Sequence, residues 1–187
     1  MIKKILFFSL LVGVTSCNND TNNSNDLTRI ELIKLIAIAN KPLDLTGANL
    51  EGVDLSGLNL MGANLMGAKL RGAKLTGAVL FEANLTGAFL EGANLEGAGL
   101  NEANLTGAFL EGANLTGAFL DGADLSYAEL YSANLTGAFL EGAILEGAKL
   151  RGAKLTGAKL SGADLTGAYL TGVIGYKEWL QRERDTS

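Results

Sequence analysis

The sequence predicts an all-β solenoid, a chain wound repeatedly around one axis. Three observations support this fold class. Leucine recurs every five residues from Leu45 to Leu170 without a gap. Alanine stands two residues before most of these leucines, and glycine stands two residues after most of them. Because glycine suits tight bends, a bend in every five-residue unit would turn all the leucines toward a common axis.

Residues 1–16 have the organisation of a bacterial export signal. Lys3 and Lys4 precede an apolar run at residues 5–14, which as a helix would be about 15 Å long and too short to span a bilayer. The sequence VTSC at residues 14–17 resembles the lipobox of bacterial lipoproteins. The resemblance implies that Cys17 is lipidated and becomes the first mature residue. It also implies a lipid anchor in the cell membrane or outer membrane, with the protein on the periplasmic or surface-exposed side.

Residues 17–26 are predicted to form a disordered tether. The segment from Asn18 to Asp26 contains no apolar residue, so it cannot bury enough surface to offset the entropy lost on ordering. The alternative is an ordinary export signal followed by a core cysteine, and this polar composition favours lipidation of Cys17 instead. A single cysteine also excludes an internal disulfide.

Residues 27–42 are predicted to form a helix that caps the first coil. Thr28 and Glu31 have the spacing of a capping box, the segment is apolar over much of its circumference to about Ala39, and Pro42 is a stop signal. A solenoid leaves its apolar core and unpaired backbone open at each end. We therefore expect this helix to cover the N-terminal end.

Residues 43–172 form 26 five-residue units, each centred on leucine. On an α-helix a step of five residues would spread the leucines around every side, and on a flat strand consecutive leucines would point to opposite faces. The glycines that end 22 of the units would also destabilise a helix by about 0.5–1 kcal/mol each. A chain that bends once per unit satisfies both patterns.

The units ANLTG, ANLEG and ADLTG resemble the motif A-(D/N)-L-x-x of the pentapeptide-repeat family, and the resemblance covers 130 of 187 residues. It implies a right-handed quadrilateral β-helix with four units per coil, here about 6.5 coils, with leucine and alanine inward and the other positions outward. The segment NLTGAFLEGAN at residues 84–94 recurs at residues 104–114, one such coil later. This recurrence favours four units per coil over three.

Residues 173–187 are predicted to contain a second short helix. Trp179 and Leu180 lie in a charged stretch that follows Gly175. This pattern fits a C-terminal capping helix or a helix that makes a dimer contact.

The composition excludes several classes of function. The chain has no histidine, which removes His-containing catalytic triads and the commonest metal ligand. It has no phosphate-loop motif, and its acidic residues do not converge on a cleft. We therefore expect no enzyme, no metal and no cofactor. Without residues 1–16 the chain has 13 basic and 20 acidic residues, a net charge of −7, which disfavours nucleic acid as a partner.

Asparagine occupies the outward position before leucine on two opposite sides of the predicted coil. We expect these amides to hydrogen-bond from coil to coil and to serve stability. The residues are Asn64, Asn84 and Asn104 on one side, and Asn94, Asn114 and Asn134 on the other.

A different side carries the candidate protein-binding surface. Phe89 and Phe109 lie one coil apart, and Tyr131 and Tyr169 follow on the same side. If about half of each ring is exposed, the stripe covers about 300–500 Å², the size at which apolar patches usually carry a function. The alternative is that the rings only shield the coil. The charged rim consists of Arg71, Glu91, Glu111 and Arg151.

The preferred function is a rigid, non-catalytic protein-binding or scaffold module, tethered to the envelope through lipid on Cys17 and contacting a protein partner or a second copy. The alternative follows from the family resemblance, because quinolone-resistance members are acidic rods that mimic DNA and bind gyrase, a topoisomerase. An export signal disfavours it, since gyrase is cytoplasmic. A further hypothesis, ice binding through Thr116, Thr136 and Thr156, is weakened by Glu96, which interrupts that file.

Overall fold

The computed structural model describes residues 29–39 and 42–176. Cys17, the predicted export signal, the predicted tether and Thr28 lie outside these residues, as does the segment after Tyr176 that contains Trp179 and Leu180. Within the described part of the chain, no helix has the length and apolar character needed to cross a bilayer.

One helix, α1 (Arg29–Ile38), precedes the coils. Leu32 on its inner side is fully buried in the apolar core, and Leu35 and Ile36 pack against the same core. The N–H of Ala39 closes the last turn by donating to the carbonyl of Leu35 at 3.0 Å. The inner side of α1 is therefore part of the core that the coils enclose.

The β-structure consists of parallel bridges that are each one residue long, and every bridge joins residues twenty positions apart. The series runs from Asp44 paired with Asn64 to Lys154 paired with Ile174. Twenty residues are four units, so each coil has four sides, as the recurrence of residues 84–94 predicts. We number the sides by their leucines: side 1 contains Leu85, side 2 Leu90, side 3 Leu95 and side 4 Leu100.

Each unit bonds to the next coil and also bends within itself. In one unit, the N–H of Leu65 donates to the carbonyl of Asn84 at 2.7 Å and the N–H of Gly67 donates to that of Thr86 at 3.0 Å. The N–H of Ala68 then donates back to the carbonyl of Leu65 at 3.0 Å, which closes a four-residue turn. Positive φ only at the third turn residue is the pattern of a type II turn.

The corner position that ends each unit has a left-handed backbone throughout the described repeat. The corner glycines have φ between 60° and 73°. Four other residues adopt the same conformation, with φ of 56° at Glu82, 57° at Glu102, 59° at Tyr127 and 54° at Ser132. The prediction that glycine belongs at the corners is confirmed, and these four residues are its exceptions.

The core is a uniform column of leucine and alanine. Every central leucine from Leu45 to Leu160 is at most 3% exposed. Leu165 and Leu170 in the last described coil are only partly buried. Since the interior is filled by side chains, function must lie on the outer positions.

Candidate functional site

The structure brings all eight residues of the predicted binding surface onto side 2, but in two separate files. The file before leucine contains Phe89, Phe109 and Tyr169, whereas Tyr131 lies in the file after leucine. Glu129 and Lys149 separate Phe109 from Tyr169 within the first file. The four rings lie on one side of the coil, as predicted, but they occupy two different positions in the unit. The charged residues Arg71, Glu91, Glu111 and Arg151 all belong to the second file.

Phe89 and Phe109 form a stacked pair, with ring centroids 5.0 Å apart and planes 4° from parallel. The guanidinium of Arg71 lies 5.3 Å from the centroid of the Phe89 ring. Both rings are partly buried, less exposed than the assumed half, because each covers the other and Arg71 covers part of Phe89. Tyr169, at the far end of the side, is 63% exposed.

Arg71 is held by Glu91 as well as by the ring. Its Nε and Nη2 donate to Glu91 Oε1 at 3.0 and 2.7 Å. Burial is the largest single effect on Glu91 and opposes its ionisation, but the hydrogen bond from Arg71, a backbone hydrogen bond and the charge of Arg71 together outweigh it and lower the pKa of the Glu91 carboxyl below its ordinary value. The same hydrogen bond raises the pKa of Arg71. Within the described residues, the other carboxylate oxygen of Glu91 is buried without a hydrogen-bond partner.

A second charged group lies further along side 2. Lys149 Nζ donates to Glu129 Oε1 at 2.7 Å, and this bond raises the pKa of Lys149. The guanidinium of Arg151 lies 5.5 Å from the centroid of the Tyr131 ring. Glu111, which is exposed, lies between the two groups. Side 2 thus presents aromatic rings and charges that hold one another in place.

Side 4 carries a second aromatic pair. Phe119 and Phe139 stack with centroids 4.9 Å apart, and Lys159 Nζ lies 4.5 Å from the Phe139 centroid. Phe119 is 43% exposed. Nearby, the ring of Phe81 covers Gly99 so closely that a Cβ at Gly99 would lie 3.1 Å from it. Sequence reasoning missed this contact, although a glycine before leucine, away from the corners, was a signal for it.

Glu82 and Glu102 occupy the corner between sides 4 and 1 in consecutive coils. Both stand in units that end without the usual glycine. Tyr127, at the corner between sides 1 and 2, differs from them in its contacts. Its hydroxyl donates to Glu146 Oε1 at 2.9 Å, a bond that raises the pKa of Tyr127, and its ring covers Gly147.

The asparagine files stabilise the coil in a more local way than predicted. Asn84 Nδ2 donates to Asn64 Oδ1 at 3.2 Å, so part of the coil-to-coil ladder exists. Asn134 Nδ2 instead donates to the hydroxyl of Thr116 at 2.9 Å. The Oδ1 of Asn84 accepts from the N–H and hydroxyl of Thr86, two residues later, and other asparagines repeat this turn. Much of their hydrogen bonding therefore closes the bend within their own unit.

The outer surface offers little enclosure. A shallow groove of 320 Å³ lies between α1 and the first coil, lined in part by Ile36, Pro42, Leu43, Met61 and Glu82. Among the described residues, no group of three His, Cys, Asp or Glu side chains is placed to hold a metal ion.

Comparison with solved structures finds similar repeat proteins. HetL from Nostoc sp. strain PCC 7120, a pentapeptide-repeat protein involved in regulating heterocyst differentiation, is 29% identical over 79% of this chain and 94% of its own, with a TM-score of 0.33. Rfr23 from Cyanothece 51142 is 28% identical over 76% and 95%, with a TM-score of 0.43. QnrB1, a plasmid-mediated fluoroquinolone-resistance protein, is 22% identical over 77% and 88%, with a TM-score of 0.36. A search of curated proteins found no significant match.

A family model described as pentapeptide repeats matches the chain in eight copies, over residues 44–80, 78–117, 110–142 and 133–172. These matches span the whole series of leucine-centred units. Members of this family form right-handed quadrilateral β-helices, and the four-sided, twenty-residue coil agrees with that architecture. The chain therefore belongs to the pentapeptide-repeat family.

Proposed function

We propose that the protein is a non-catalytic rod, anchored to a membrane of the cell envelope through lipid on Cys17, that binds a protein partner along side 2. The observation that carries this proposal is the mutual ordering of Phe89, Phe109, Arg71 and Glu91. Side chains already fixed before binding lose little rotamer freedom when a partner arrives. Aromatic residues and arginine are also the types that dominate binding energy at protein interfaces.

The exposed groups on side 2 supply the contacts that the ordered pair does not. Tyr169, Glu111 and Arg151 are exposed, whereas Phe89 and Phe109 are partly covered. A partner that reaches the two phenylalanines would complete their burial and meet charges of both signs around them. Such a surface suits a folded protein, or a second copy of this chain, with a complementary mixture of apolar and charged groups.

Site-specific photo-crosslinking in cells tests the surface. A photoreactive amino acid at Glu111 should yield a discrete crosslinked band, which the double variant Phe89→Ser, Phe109→Ser should abolish. The same amino acid at Thr76, exposed on side 3, is the matched control and should yield none. Equal crosslinking at both positions would remove side 2 from the proposal, and a band of twice the chain mass would identify the partner as a second copy.

Membrane anchoring needs a separate test because Cys17 lies outside the described residues. Labelled fatty acid should be incorporated into the wild-type protein and not into Cys17→Ala, and the variant should leave the membrane fraction. Unchanged fractionation would contradict lipid anchoring.

The acidic composition, with a net charge of −5 for the full chain, favours one second candidate, a DNA-mimicking protein that binds a topoisomerase. That role requires residence in the cytoplasm. Fractionation of the wild-type protein into the cytoplasm, together with dose-dependent inhibition of purified gyrase, would replace the first proposal by the second.

A further inference from the structure

The helix α1 is apolar on two opposite sides, and the coils cover only one of them. Its inner side belongs to the core, where Leu32 is fully buried. Residues three, four and seven positions apart share one side of a helix. By this spacing, the side turned away from Leu32, which we term the outer face, consists of Ile30, Ile33, Lys34 and Ala37. All four residues are exposed, Ile30 by 65% and Ile33 by 45%.

A helix that is apolar all round is normally covered all round, so the outer face indicates a contact beyond the fold. Its composition suits a lipid surface. Ile30 and Ile33 supply apolar area, and Lys34 adds a cation whose long stem can reach the level of the phosphates. The outer face has no acidic residue, whereas the full chain has a net charge of −5. The outer face is thus better suited to anionic lipid than the chain as a whole.

The connection to Cys17 determines which surface the outer face meets. Eleven residues, 18–28, separate Cys17 from the start of α1 at Arg29. A chain of this length spans at most about 40 Å when fully extended. Lipid on Cys17 would therefore hold α1 close to the bilayer at a high effective concentration, so that even two isoleucines and a lysine can bind.

We propose that the outer face of α1 rests on the surface of the bilayer, with Ile30 and Ile33 at the boundary between headgroups and acyl chains. This inference rests on the proposed lipidation of Cys17. The ten residues of α1 are about 15 Å long, so the helix lies along the bilayer and does not cross it. The contact places the α1 end of the rod at the membrane and leaves side 2 accessible to a protein partner.

The test uses the acylated chain in vesicles of phosphatidylethanolamine and phosphatidylglycerol. Cys17 is the only natural cysteine and its sulfur would carry lipid, so a fluorescent probe labels Ala37→Cys alone. Its emission should shift to the blue and be quenched by nitroxide groups near the lipid headgroups. A probe at Ser161→Cys, exposed on side 4 far from α1, should show neither effect.

The variant Ile30→Gln, Ile33→Gln should abolish the shift and the quenching at position 37, while the acyl chain keeps the protein on the vesicles. The matched control is Ile144→Gln, Ile174→Gln, which replaces two exposed isoleucines of the coils and should leave the quenching unchanged. Lys34→Glu keeps both isoleucines and should reduce quenching on anionic vesicles more than on phosphatidylcholine vesicles. Equal loss in the control, or no effect of the Ile30 and Ile33 changes, would overturn the proposal.

The remaining outcomes separate this inference from the proposed function. An unquenched probe on the acylated wild type would overturn the contact of α1 and leave lipid anchoring and side 2 untouched. A chain without lipid on Cys17 would overturn both. Sedimentation showing self-association that the Ile30 and Ile33 changes abolish, with the probe unquenched, would assign the outer face to a second copy.

Discussion

Tyr127 at one corner, and Glu82 and Glu102 at another, all stand where most units have glycine and adopt the left-handed conformation, but their side chains make different contacts. Tyr127 covers Gly147 with its ring and bonds Glu146 through its hydroxyl. Glu82 and Glu102 gain no such bond within the described residues. A corner of this rod can thus accommodate a residue other than glycine when the new side chain makes stabilising contacts.

The largest expected effect comes from adding a methyl group at Gly147, which the Tyr127 ring covers. A Cβ at Gly147 would lie 2.7 Å from two carbons of the Tyr127 ring, whereas a Cβ at Gly107 would meet nothing within 4 Å. Both glycines have φ of 63°. Gly107→Ala should therefore lower the free energy of unfolding by about 1–2 kcal/mol through backbone strain alone. Gly147→Ala should lower it by about 1–3 kcal/mol more, as measured by urea denaturation.

A double-mutant cycle isolates the ring from the backbone. Adding Tyr127→Gly should rescue much of the additional loss in Gly147→Ala and should leave Gly107→Ala unaffected. Equal losses for the two alanine variants would show that the Tyr127 ring moves aside at no cost, and would remove the packing argument for this corner.

The next effect is a difference between the two corners in the sign of the change in the free energy of unfolding. Glu102→Gly should raise the free energy of unfolding by about 1 kcal/mol, because it relieves the positive φ and removes no side-chain hydrogen bond or ion pair within the described residues. Tyr127→Gly relieves the same strain but also removes the ring from Gly147 and the bond to Glu146, so it should be neutral or should lower stability by about 1 kcal/mol. Thermal denaturation of the two variants measures both. Stabilisation by both changes would mean that Tyr127 is no better supported than Glu102.

Much of the fold follows from the sequence, because a period of five with glycine at its end permits few chain paths. The recurrence of residues 84–94 predicts the twenty-residue coil, and Thr28 with Glu31 predicts a helix where α1 lies. The sequence predicts that these aromatic residues lie on side 2. It assumes that about half of each ring is exposed, whereas Phe89 and Phe109 are less exposed than that. The stacking of Phe89 on Phe109 and the position of Arg71 depend on rotamers, which the periodicity does not specify.

The corner that contains Glu82 and Glu102 shows the same limit of sequence reasoning. Glu82 and Glu102 stand out in the sequence as missing glycines, and the positive φ at their positions follows from the repeat. Whether a side chain finds a partner depends on residues one coil away, and those contacts emerge only from the three-dimensional arrangement. Gly99 was the available signal for the Phe81 contact, because a glycine before leucine leaves room for a ring.

The smallest expected effect concerns Glu91, whose carboxylate pairs with a cation, unlike those of Glu82 and Glu102 within the described residues. Glu91 accepts both hydrogen bonds of Arg71, and its pKa is lowered in the folded state. A lowered pKa stabilises the fold fully above the unfolded value of about 4.3, and this contribution is lost as the pH falls through the folded value. The melting temperature should therefore fall on acidification more steeply in the wild type than in Arg71→Gln, and the two should converge once the pH has fallen below the lowered pKa of Glu91. The difference should be small and should shrink in high salt, because solvent screens a half-exposed ion pair. Parallel pH profiles for the two proteins would show that Arg71 stabilises side 2 through its contact with the Phe89 ring and not through Glu91.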